Sequence, residues 1–153
     1  MVVEKYNTIN KIAAFPVEGF KALQQESQLE GYRFLLRLEK DWLNGTNTFS
    51  AAGEGLYEVR AQGELVAIGG INTDPYGASA ADGRLRRFYV KEAYRRKGVG
   101  KMLVDFILQQ HAANFERVSL YTGELAAGAF YVRCGFEKVL GEEKVSHRIE
   151  LNS

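Results

Sequence analysis

Phe88-Tyr89-Val90-Lys91-Glu92-Ala93-Tyr94-Arg95-Arg96-Lys97-Gly98-Val99-Gly100-Lys101 passes from a strand pattern, through a basic turn bearing glycines, into a helical pattern. Upstream, Arg84-Leu85-Arg86-Arg87 leads into Phe88-Tyr89-Val90, an aromatic and β-branched end suited to a strand. Downstream, Val99, Leu103, Phe106, Ile107 and Gln110 share one mostly apolar stripe, which predicts a helix of about four turns opening at the glycines. The first amides of a helix lack intrahelical acceptors and carry the positive end of the macrodipole, so they attract phosphate. Gly98 and Gly100 supply backbone freedom and close approach, while Arg95, Arg96, Lys97 and Lys101 supply charge around a polyanion. The turn therefore reads as a pyrophosphate cradle. A P-loop would need glycine at Arg95 and a hydroxyl residue at Met102, and a dinucleotide fingerprint would need glycine at Leu103, so both nucleotide motifs fail on spacing.

Working outward, a first strand is expected somewhere in Val2 to Ile12, and Val17 to Leu43 predicts two helices or one bent helix that stops at Asn44-Gly45. Leu56 to Ala61 and Leu65 to Asn72, joined by Gln62-Gly63, predict a hairpin. Beyond the central helix, Val118 to Tyr121 predicts a strand and Leu125 to Cys134 a helix closed by Gly135. Phe136 to Leu140 with Val145 to Leu151 predicts a final hairpin. The chain has 153 residues, 46% of them hydrophobic, and shows neither linker nor repeat, which predicts one α/β domain over residues 1–153.

Composition narrows the function. Twenty basic residues face 19 acidic ones, so the global field expected of a nucleic-acid binder is missing. The single cysteine, Cys134, excludes an internal disulfide framework, and no Cys/His spacing fits zinc, so no metal is expected and a reducing cytoplasm is. The N-terminal residues lack an apolar run long enough for a signal peptide or a membrane span, so no membrane partner is expected.

Ala127-Gly128-Ala129-Phe130-Tyr131-Val132-Arg133-Cys134-Gly135-Phe136 forms a second motif, a helix ending in glycine and then an apolar strand. Together the two segments resemble the GNAT superfamily of N-acetyltransferases. The family's first motif, a strand ending in Leu/Phe-Tyr-Val and then Arg/Gln-x-x-Gly-x-Gly/Ala, matches Phe88-Tyr89-Val90 and Arg95 to Gly100. Its second matches Ala127, Phe130-Tyr131 and Gly135-Phe136. The resemblance covers roughly Glu54 to Glu150. It implies a mixed, mostly antiparallel central sheet flanked by helices, with acetyl-CoA as cosubstrate, an amine on a small molecule or peptide as acceptor, and a homodimer as one possible assembly. Coenzyme A would lie where the strand ending at Val90 diverges from the strand ending at Tyr121. Backbone groups of Phe88, Tyr89 and Val90 would pair with the pantetheine arm, Arg95 to Lys101, Val99 included, would hold the pyrophosphate, and Phe130 would pack near the acetyl end.

The implied chemistry sets further demands. An amine of pKa about 10.4 is only about one part in a thousand neutral near pH 7.4, so a base or a desolvating pocket must supply the free form. The leaving thiolate calls for a proton donor, and by the resemblance Tyr131 faces the sulfur; a tyrosine stays protonated at neutral pH and can donate. The base stays open between Glu124, Asp74, Asp82 and a water-mediated route, because the strand before the turn offers Arg84, Arg86 and Arg87 where many family members carry an acid. Glu124 also replaces the asparagine common three residues before the second motif. Cys134 is expected to pack, His147 to face the apolar side of the last strand, and His111 to serve the dipole at its helix end. The alternative to an enzyme is a coenzyme A-binding regulatory module of the same fold without turnover.

Overall fold

The computed structural model describes residues 2–4, as backbone, and 7–151. Two strands, β1 (Val2–Glu4) and β2 (Asn7–Lys11), precede α1 (Phe20–Leu29) and α2 (Phe34–Leu43). The long hairpin of β3 (Gly55–Ala61) and β4 (Glu64–Thr73) follows, then β5 (Asp82–Val90), a short 3-10 turn (Glu92–Tyr94) and α3 (Val99–His111). The chain closes with β6 (Arg117–Leu120), α4 (Leu125–Arg133), β7 (Glu137–Lys138) and β8 (His147–Glu150). One sheet orders these strands β1-β2-β3-β4-β5-β6-β8-β7, antiparallel everywhere except between β5 and β6. This is the α/β order the sequence predicts, with the mixed, mostly antiparallel sheet that the resemblance implies.

The period-two alternation along β3 and β4 feeds two cores. On one face Tyr57, Val59, Leu103, Val104, Ile107 and Phe136 pack together, tying α3 and the start of the final hairpin to the sheet. On the other, Phe20, Leu23, Leu35 and Leu38 of α1 and α2 meet Leu56, Ile68 and Tyr89. Because helices cover both faces of the sheet, β4 is buried along nearly its whole length. A functional cleft in such a sheet has to open between strands or at their ends.

Several elements differ from expectation. The expected first strand is two, with Lys5 and Tyr6 outside the described residues. The last hairpin has a two-residue first strand, although the Val139 N–H still donates to the Ser146 carbonyl at 2.8 Å. His111 does not act as a cation at its helix end. It is buried, its Nε2 lies 2.9 Å from the Tyr57 hydroxyl, and burial pushes its pKa down, so the neutral ring is favoured. His147 is buried as expected, its Nδ1 2.9 Å from the Ser146 hydroxyl, and its ring lies under Gly128 of α4.

Candidate active site

The cleft begins as a pairing defect. β5 pairs in parallel with β6 only from Asp82 to Arg84, against Arg117 to Ser119, and the two strands then separate. From Leu85 onward the β6-facing edge of β5 has no ladder partner. On its other edge β5 carries a bulge: Gly70 faces Arg86, Ile68 faces Tyr89, and Arg87 and Phe88 together oppose Gly69. Arg87 takes a left-handed φ of 58° there, and the bulge turns Phe88 over Gly69, where any Cβ would sit 2.6 Å from Phe88 Cδ2.

Between the separated strands lies a cleft of about 1640 Å³. Of the residues the sequence singled out, Phe88, Tyr89, Val90, Phe130 and Tyr131 line it, as do Arg95, Arg96, Gly98, Gly100 and Lys101. Two do not. The Val99 side chain is buried in the core, and the Lys97 ammonium lies 5.7 Å from the Tyr94 ring centroid. Helix α3 opens at the end of this cleft: Gly98 is its N-cap with φ 84°, and the Met102 N–H is the first to donate, to the Gly98 carbonyl at 3.0 Å. The amides of Val99, Gly100 and Lys101 are therefore left without intrahelical acceptors. Gly100 brings α4 close, since a Cβ there would stand 3.0 Å from Phe130 Cζ and 3.3 Å from Val90 Cγ2.

The basic residues of the turn divide into two sets. Arg95 is already engaged: its Nη1 and Nη2 donate to Glu30 at 2.9 and 2.6 Å, its Nε donates to the Val90 carbonyl at 2.9 Å, and it stacks 5.2 Å from the Tyr89 ring centroid. That fork holds the Glu30 carboxyl below its usual range and pushes Arg95 up. The Tyr89 hydroxyl reaches Glu26 at 2.6 Å as well as Glu30, and burial with these two carboxylates pushes its pKa up. Glu26 in turn accepts the Glu92 N–H at 3.0 Å. Lys101 pairs with Asp105 at 2.7 Å. Arg96 and Lys97 form no ion pair with a described carboxylate and remain as unopposed charge.

Tyr131 stands in the cleft wall, 9% exposed, with ring contacts to Phe88, Phe130, Phe136 and His147. Burial and neighbouring Cys134 push its pKa up, which keeps the phenol protonated. Cys134 is itself buried in this core, and burial pushes its thiol up to about 11, as suits a packing residue.

Of the three carboxylates considered as base, Glu124 alone lines the cleft. Asp82 accepts the Ala78 and Ser79 N–H groups and pairs with Arg117, and Asp74 pairs with Arg84 and accepts the Tyr76 N–H. Glu124 faces Tyr32, from the α1–α2 connection, and its carboxylate with burial pushes the Tyr32 hydroxyl up to about 12. Tyr32, Glu26 and Glu30 escaped the sequence reading, since no periodicity announces that a helix connection will reach across a cleft.

The fold, the strand separation and the open helix end together define an α/β domain whose cleft suits an extended ligand ending in an anion. The model for the acetyltransferase (GNAT) domain matches residues 46–138, and the chain belongs to the GNAT acetyltransferase family. Among solved structures it is similar to a protein from Exiguobacterium sp. 255-15 named only at the level of acetyltransferase, at 26% identity and TM-score 0.85, covering 94% of this chain and 93% of that one. It shares its fold with glucosamine-6-phosphate N-acetyltransferase from Arabidopsis thaliana, at 18% identity and TM-score 0.61 over 92% and 98% of the two chains. The same holds for a tyrosine-to-phenylalanine mutant of the toxin AtaT bound to the C-terminus of the antitoxin AtaR and to acetyl-CoA, at 11% identity and TM-score 0.73 over 96% and 94%. No curated protein matches the chain. Among the described residues no cluster of His, Cys, Asp or Glu could hold a metal ion, and no helix is long and apolar enough to cross a membrane.

Proposed function

We propose that this chain transfers the acetyl group of acetyl-CoA directly to a primary amine, acting as one domain in the cytoplasm. One observation carries the reading: the unpaired edge of β5 runs along a single cleft into the open N-terminus of α3. An extended pantetheine arm needs such a strand edge, and a diphosphate needs such amides, so the residues present fit the cosubstrate.

Acetyl-CoA supplies an acetyl group activated as a thioester. The edge amides and carbonyls of Leu85 to Tyr89 hold the arm as an added strand would, while the Val90 carbonyl is already occupied by Arg95. The amides of Val99, Gly100 and Lys101, with the charge of Arg96, receive the diphosphate. Phe88 and Phe130, 5.9 Å apart between ring centroids, exclude water from the reacting end. Tyr131 donates a hydrogen bond to the departing sulfur. A thiol is ordinarily far more acidic than this buried phenol, so donation without complete transfer is the favoured form. Glu124, beside Tyr32 in the cleft wall, takes the amine proton in this reading.

A coenzyme A-binding module without turnover is the second reading. It is favoured by one observation, that Asp74 and Asp82 are both consumed in structural contacts. Release of free thiol from acetyl-CoA, followed across a panel of amines, separates the two, since the module releases none. Within the enzyme reading, Tyr131→Phe should lower kcat roughly tenfold to a hundredfold and leave KM within about twofold. An unchanged kcat at several pH values removes the donor role.

A further inference from the structure

The acceptor half of the cleft has a charge pattern that acetyl transfer alone does not require. On the α1–α2 side its wall holds Arg37 from α2 and Arg84, Arg86 and Arg87 from β5. Arg84 and Arg87 are deeply placed, their side chains 9% and 14% exposed, whereas Arg37 is exposed. Their compensation is incomplete. Among the described carboxylates Arg87 pairs with Asp41 alone, at 3.8 Å, and Arg84 Nη1 lies 3.5 Å from Asp74 Oδ1 but is buried without a hydrogen-bond partner, although its Nη2 donates to the Lys144 carbonyl at 2.6 Å. Arg37 and Arg86 form no ion pair with any described carboxylate. Burial together with like charge from Arg86 and Arg37 pushes the Arg87 guanidinium down to about 10, the mark of a cation held where its charge is poorly answered. Burial depresses Arg84 as well.

A buried guanidinium left underpaired is costly, and its planar fork matches carboxylate or phosphate oxygens. The bulge at Arg87 adds to this, because it sets the arginines of β5 next to the unpaired edge where the thioester would lie. Tyr32, Phe34 and Tyr76 furnish apolar and aromatic wall between the charges. Glu124, facing Tyr32, puts the opposite sign on the same cleft, which so offers a positive region and, among its described lining residues, a single carboxylate. A dipolar ligand complements that pattern, with its anion at the arginines and its amine toward Glu124. A polyamine or an aminoglycoside-like polycation does not.

We infer that the acceptor is a small primary amine carrying its own carboxylate or phosphate, and that Arg37, Arg86 and Arg87 hold that anion. The kinetic part of this inference rests on the acetyl-transfer reading; the binding part does not.

The test uses the whole chain with four matched amines: O-phosphoethanolamine, β-alanine, ethanolamine and putrescine. Thiol release reports kcat/KM, and isothermal calorimetry in the presence of saturating coenzyme A reports binding without requiring turnover. The better of the two anionic amines should exceed ethanolamine by roughly a hundredfold in kcat/KM and in affinity, with putrescine lowest. Comparing O-phosphoethanolamine with β-alanine tells phosphate from carboxylate as the preferred anion. In Arg37→Gln/Arg86→Gln the preference should fall to about fivefold or less, mainly through KM, while the affinity for coenzyme A stays within about twofold of the parent and reports an intact fold. Equal use of ethanolamine or putrescine overturns the inference but leaves the enzyme standing. If no amine releases thiol, the enzyme reading fails, and calorimetry still decides: anion preference that is lost in the double variant upholds the arginine site, and absence of any preference refutes it.

Discussion

Gly98 offers the sharpest test of the phosphate cradle. It caps α3 with φ 84° and ψ −2°, and a Cβ built there would find no atom within 4 Å. Gly98→Ala therefore introduces no clash, and its whole cost is that of an L-residue in the left-handed region, about 1–2 kcal/mol. For a chain of this size that corresponds to a fall in Tm of roughly 2–8 °C. Relieving the strain requires φ at residue 98 to change, which rotates the Lys97–Gly98 peptide or swings the chain after it and so re-aims the amides that open α3. Affinity for coenzyme A should drop together with Tm, by roughly tenfold if one charge-assisted amide contact is lost. Asparagine tolerates this conformation better than alanine, so Gly98→Asn should recover part of both quantities. Differential scanning fluorimetry with and without coenzyme A, alongside calorimetric titration, reads all three proteins. An alanine variant with parental Tm and affinity would refute the argument, and so would an asparagine variant as impaired as alanine.

Arg95→Lys keeps the charge but loses the fork to Glu30 and the stack on Tyr89, so it should weaken coenzyme A roughly tenfold, whereas Arg96→Lys should change affinity by less than about twofold. Calorimetry on the two variants decides it, and equal effects would return Arg95 to the role of a simple phosphate cation. His111 has a folded pKa depressed by burial, so its contribution to stability is complete above the ordinary histidine value of about 6.5 and is lost as pH falls below it. Tm measured between pH 7 and pH 5 should therefore fall less steeply in His111→Phe than in the parent, on a lower baseline because the Tyr57 hydroxyl loses its partner. His147, also depressed by burial, should sustain the residual slope, and a slope identical in variant and parent would show that His111 is not the titrating group.

The fold was legible wherever a signal is local. Gln62-Gly63 marks the hairpin turn, with both residues at positive φ, and the apolar stripe of α3 and the glycine before it mark a helix and its start. The strand separation that makes the cleft was readable only through the resemblance of the two motifs, because no residue pattern in β5 announces where its pairing with β6 will stop. Gly98 and Gly100 look alike in sequence, yet they serve different ends: the first supplies a left-handed φ and the second leaves room for Phe130 and Val90. The acceptor side was the least legible. Arg84, Arg86 and Arg87 were visible as an anomaly where an acid was expected, but their joint placement with Arg37 depends on α2 lying across the bulge of β5, which is a tertiary fact.

Arg95 shows how the parts outside the motif govern it. The Glu30 and Arg95 side chains are 23% and 39% exposed, and an ion pair at that exposure contributes about 1 kcal/mol or less to stability. Its significance is therefore one of position. Through Arg95 Nε the fork grips the Val90 carbonyl, and Glu26 grips the Glu92 amide, so α1 and its C-cap residue Glu30 pin the β5 end of the short connection to α3 and its middle at Arg95. That connection sets where Gly98 stands relative to the free edge of β5. With Arg95 spent on this task, Lys101 tied to Asp105 and Lys97 turned to Tyr94, the charge left for a diphosphate would come from Arg96 and the helix amides. Binding in such a cradle depends more on oriented backbone dipoles than on a crowd of cations, so its salt dependence should be shallower than the four basic residues of the turn suggest.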